Sequence, residues 1–133
     1  MTFTENLALG LAGLTATGIG LAILAAPRAF YASYGIPLGD DPSLLSELRA
    51  PAAGLACFGA LMLAGIWRRT MAPLSKSVAL TVFLAFPAGR LLGIALDGPP
   101  SGAILAALVL ELAIAGLCLI AFRRAPARLS AQE

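Results

Sequence analysis

The chain has 133 residues, 59% hydrophobic and 12% charged, with a formal net charge of +2 and a mean hydropathy of +0.91. Those values leave no room for a soluble domain beside the apolar segments, and the small positive charge offers no patch for nucleic acid. The absence of histidine excludes His-ligated haem, His-containing metal sites and a histidine general base. We expect neither a metal nor a cofactor.

Residues 7–26 form the first uncharged apolar block. About 20 such residues cross ~30 Å of hydrocarbon as a helix. Thr4 or Asn6 is expected to cap this helix, which should stop at Pro27. A secretory signal is disfavoured, because residues 1–6 carry Glu5 and no Lys or Arg, and the run exceeds a usual signal core. Ala12, Ala16 and Gly20 recur every four residues, a small-residue stripe along which another helix can approach.

Residues 28–42 are the longest connection. Phe30, Tyr31 and Tyr34 stand at helical spacing, and aromatics with a polar end favour the membrane interface. A short interfacial segment is therefore expected between the first two spans. Asp41-Pro42-Ser43 then reads as a helix start.

The second block, residues 50–67, carries its own small-residue stripe at Ala52, Ala56, Ala60 and Ala64. It ends at Trp67-Arg68-Arg69, and a turn over residues 70–76 leads to the third block, residues 77–96, interrupted only by Arg90. Asp97-Gly98-Pro99-Pro100-Ser101 breaks the helix. The fourth block, residues 102–122, is interrupted only by Glu111. Cys57 and Cys118 fall in different blocks without C-x-x-C spacing, so both read as small packing residues.

The expected fold is an all-α bundle of four transmembrane helices, forming one domain over residues 1–124 with a short tail at 125–133. Arg68, Arg69, Lys76, Arg123, Arg124 and Arg128 fall on one side and only Arg28 on the other. By the positive-inside rule both termini should face the cytoplasm, in a multi-pass protein of a bacterial inner membrane.

Orientation gives each remaining charge a depth. At ~1.5 Å per residue, Glu47 lies roughly 6 Å and Arg49 roughly 9 Å inward from Ser43. On the same scale Arg90 lies about 10 Å inward from Asp97, and Glu111 about 15 Å down the fourth span. A charge at a helix centre costs ~2.5–3.5 kcal/mol on insertion scales. Glu47, Arg49, Arg90 and Glu111 should therefore face inward and meet as a neutral cluster, with Arg90 also within reach of Asp97. Glu47 and Arg49 are two residues apart, on nearly opposite helix faces. Both point inward only if Pro51 makes the helix irregular. Pro87 predicts a second kink beside Arg90.

Glu47-Leu48-Arg49-Ala50 with Gly54, Gly89-Arg90, Asp97-Gly98 with Pro100, and Glu111 together resemble a bacterial family of small four-helix integral membrane proteins, catalogued as domain of unknown function 4345. The likeness runs from the first span to Arg124. It implies the four-helix architecture and the choice of polar residues, and it implies no established activity.

From the residues themselves, the expected function is binding of a lipophilic small molecule in an outward-facing Glu/Arg pocket. The expectation extends to isomerisation or cyclisation by acid–base chemistry. Glu111 and Glu47 are the expected catalytic carboxylates, and Arg49, Arg90 and Asp97 the expected ligand-binding groups. One alternative is a proton-coupled transporter working as a homodimer, which fits a midplane carboxylate but not two neighbouring arginines. The other is a structural subunit of a membrane complex, which the small-residue helix faces allow.

Overall fold

Residues 1–123 are described by a computed structural model; the expected tail at 125–133, and Arg124 and Arg128 with it, lie outside the described residues. Five α-helices account for most of those residues: α1 (Phe3–Ala25), α2 (Pro27–Ser33), α3 (Pro42–Trp67), α4 (Ala72–Asp97) and α5 (Gly102–Ala121). Four of them, all but α2, are long and apolar enough to cross a membrane. The chain is a multi-pass membrane protein.

The helix starts follow local chemistry. Thr2, not Thr4 or Asn6, caps α1, because only Thr2 has an acid three residues on. The Thr2 hydroxyl accepts from the Glu5 N–H at 3.2 Å, and the Glu5 carboxylate accepts from the Thr2 N–H at 2.7 Å, a reciprocal capping box. The Asp41 carboxylate accepts from the Ser43 and Leu44 N–H groups, with Pro42 opening α3 as expected. The turn expected over residues 70–76 is shorter than predicted. A 3-10 turn at Arg69–Met71 runs directly into α4, whose first turn holds Pro73, so Lys76 is helical. Proline tolerates this position because its missing N–H would have no partner there.

Gly98 ends α4 at φ +95°, ψ −179°, a conformation essentially reserved for glycine. Both internal prolines are accommodated without a break in the helix assignment. The helix runs on through Pro51, and this bears on the site below.

The four long helices form a ring in the order α1, α3, α4, α5, closed by α5 against α1. The α1–α3 seam is the most extensive. Ordinary apolar area cannot drive it, since lipid is as apolar as the helices, so close backbone approach must. A Cβ on Gly20 would stand 2.6 Å from the Ala52 carbonyl oxygen, and one on Gly13 would stand 3.0 Å from the Gly59 carbonyl oxygen. The seam of α3 therefore runs through Ala52, Ala56 and Gly59. The predicted stripe is corrected at Ala60, which is exposed; spacing of four drifts off a 3.6-residue face, whereas Gly59 stays on it.

The outward faces carry large apolar side chains, among them Leu14, Leu21, Leu92, Leu96, Val109 and Ile120, as lipid-facing surfaces require. The terminal end of the bundle is tied by Lys76 on α4, which donates to the Glu5 carboxylate at 2.5 Å and lies over the Phe122 ring.

Candidate functional site

At the other end of the bundle the helices do not fill the space between them. A cavity of about 850 Å³ opens there. Its floor is apolar, from Ala16, Ile19 and Ile23 of α1, Leu55 of α3, and Val82 and Phe83 of α4. Its sides come from Phe86, Gly89 and Arg90 of α4 and from Ile104, Ala107, Leu110 and Glu111 of α5. Phe30 and Tyr31 of α2, Tyr34 at its C-terminal cap and Ile36 beyond it line one side.

Arg90 and Glu111 meet within this cavity. The Arg90 Nε donates to both carboxylate oxygens of Glu111, at 3.1 Å and 2.9 Å, and Nη2 donates to Oε1 at 3.0 Å. This bidentate contact joins α4 to α5. Glu111 is only 7% exposed, the most buried charged group among the described residues. Its position is dictated by helix geometry: Glu111 shares a face with Leu108, Ile114, Ala115 and Cys118, all buried in the bundle. A carboxylate on that stripe is largely withdrawn from water and is stabilised by a donor inside the bundle. Arg90 follows the buried Pro87 by about one turn, which brings the guanidinium to the same level on the adjacent helix.

Glu47 and Arg49 do not join this pair, contrary to the four-residue cluster expected above. With α3 continuous through Pro51, their side chains leave the helix on nearly opposite faces. Glu47 is exposed. Arg49 turns toward α1, where its Nε donates to the Leu24 carbonyl at 3.1 Å, and it lines a separate shallow groove with Asp40, Leu45 and Ser46. That contact has its own logic. The last four carbonyls of a helix lack intrahelical partners, and a cation there also complements the helix dipole. Asp97 is exposed at the end of α4, with no ion pair among the described residues. Arg90 points the other way, toward α5.

The spacing of aromatics on α2 suggested an interfacial helix, but not that this helix walls the cavity. The three rings pack edge-to-face and tilted against one another, with centroids 4.9–6.5 Å apart, an arrangement favoured by their quadrupoles. Two polar contacts hold the segment in place. The Ser101 hydroxyl donates to the Tyr34 carbonyl at 2.7 Å, tying α2 to the start of α5. The Gly35 backbone, at φ +75°, reverses the chain, and the Ile36 N–H donates to the Tyr31 carbonyl at 2.9 Å. Ser101 also caps α5, its hydroxyl accepting from the Ile104 N–H at 3.4 Å, a role legible in a serine before an apolar helix; its bond to Tyr34 is not legible there. Burial pushes the Tyr31 phenol up, helped by Tyr34 and opposed by the nearby Arg90 guanidinium. Tyr31 therefore stays a neutral hydrogen-bonding group.

The cavity thus offers a half-open, mostly apolar lining, the Thr15 hydroxyl, two phenols and one paired Arg–Glu. No three His, Cys, Asp or Glu side chains converge to hold a metal ion among the described residues.

A family model described as a domain of unknown function (DUF4345) matches residues 4–122. The chain belongs to that family. The match spans all four long helices and includes the Arg90–Glu111 pair and the α2 wall. No curated protein and no solved structure matches the chain.

Proposed function

We propose that this DUF4345 protein binds a lipophilic small molecule within the membrane, in the cavity between α1, α4 and α5. The observation that carries this reading is one half-open cavity of about 850 Å³ in which an apolar floor meets the Arg90–Glu111 pair. Small-molecule sites typically have volumes of ~300–1,000 Å³, apolar linings and a few converging polar groups.

The excess of Lys and Arg at the terminal end supports an orientation with both termini in the cytoplasm of a bacterial cell. The cavity then opens toward the outer half of the inner membrane.

Two further roles follow less directly from the same geometry. Acid–base isomerisation would use Glu111 to move a proton and Arg90 to hold the developing negative charge. Glu111 would first have to loosen its bidentate contact, so binding is the stronger reading. A proton-coupled cycle would need Glu111 to leave Arg90 and discharge on every turn, which the same contact opposes.

The test is saturable binding of the neutral fluorophore N-phenyl-1-naphthylamine to protein in lipid nanodiscs, corrected with empty discs. Ala107 lines the cavity, and Ala107→Trp should fill part of it. The expected result is saturable binding by the natural chain and at least tenfold weaker binding by the variant. Equal binding by the two, or none above empty discs, would overturn the reading.

A further inference from the structure

The charge balance of the cavity narrows what it can hold. Arg90 and Glu111 are its only charged lining groups, and each is the other's partner. Their sum is zero. An anion entering this space would leave three charges with a net −1, and a cation would leave a net +1. In a medium of low dielectric either imbalance is costly.

The hydrogen-bond inventory points the same way. A guanidinium has five N–H donors. Glu111 takes one from Nε and one from Nη2, and no protein acceptor takes the Nη1 hydrogens among the described residues. Each Glu111 oxygen, for its part, retains capacity to accept. The pair therefore presents a donor and an acceptor side by side, at no net charge, in the cavity that Tyr31 and Tyr34 also line.

Resting on the reading above, we propose that the ligand is an uncharged amphiphile, an apolar body ending in one hydroxyl or carbonyl oxygen, and not a fatty acid or a cationic lipid. The oxygen accepts from Arg90; where it is a hydroxyl, its hydrogen is donated to Glu111. The apolar body lies along Ile19, Ile23, Leu55 and Phe83. Arg90 is in this account a specificity-determining residue only while Glu111 balances it.

The experiment compares three probes with the same tail, 1-hexadecanol, hexadecanoate and hexadecylamine, as competitors of N-phenyl-1-naphthylamine in nanodiscs. Each is corrected for partition into empty discs. The natural chain should prefer the alcohol over both ions by at least tenfold. Glu111→Gln leaves Arg90 uncompensated and should shift preference toward hexadecanoate by tenfold or more. Arg90→Gln should shift it as far toward hexadecylamine. The double variant Arg90→Gln/Glu111→Gln is neutral again and should return to the alcohol, which keeps the inference testable should either single variant fold poorly. Preference of the natural chain for an ion, or a double variant that favours one, sinks this inference while leaving the binding cavity intact. Failure of the natural chain to bind the fluorophore at all removes both.

Discussion

Arg90→Ala should lower the stability of the folded bundle by about 3–5 kcal/mol, the usual cost of stranding one member of a buried ion pair. The cause is the charge left behind. Glu111 is 7% exposed, and all the donors reaching its carboxylate among the described residues come from Arg90. Removing both charges is a different matter. Replacing a buried pair by apolar side chains of similar volume is often neutral or stabilising, so Arg90→Leu/Glu111→Leu should recover most or all of the loss. Equilibrium unfolding in mixed micelles, on both single variants and the double, measures the coupling. If the single effects simply add, the two residues do not share one environment.

The second large effect lies on the opposite side of the bundle. Gly20→Leu should cost at least 1–3 kcal/mol, roughly the range for overpacking a dense interface. The obstruction here is backbone, which cannot rotate away. A Cβ at position 20 would meet the Ala52 carbonyl oxygen and the Ala56 nitrogen, each at 2.6 Å. Gly18 faces nothing within 4 Å, so Gly18→Leu is the control and should leave the melting temperature unchanged. A Gly20 variant that melts with its control would mean that α1 and α3 are not in backbone contact.

These two sites show how unevenly the fold can be read from sequence. The spans are legible because a helix that crosses lipid must be apolar on nearly every face, a constraint that leaves long uncharged blocks. Arg90 and Glu111 are legible for the complementary reason, as lone charges inside such blocks. Their partnership requires only that the third and fourth spans, joined by a short turn, lie side by side.

Glu47 and Arg49 defeat the same reasoning. They sit near a helix end, where a long side chain can leave the bundle without crossing hydrocarbon, so depth alone does not force them inward. The deciding fact is the unbroken α3 helix, and proline at position 51 argued locally for the opposite. The cavity is illegible for another reason. It is space left between α1, α4 and α5, and its wall depends on α2 folding back under a Ser101–Tyr34 bond between residues 67 apart in sequence. Aromatic spacing identified the helix without saying which surface it would cover.

The most direct measurement is the separation of the Arg90 guanidinium nitrogens from the Glu111 carboxyl carbon, by nitrogen–carbon dipolar solid-state NMR on selectively labelled protein in lipid bilayers. A bidentate pair with N–O distances of 2.9–3.1 Å predicts strong, rapid dephasing of the Glu111 carboxyl signal. No dephasing at that carbon would place the two ions apart, and the paired, charge-neutral centre described here would not exist.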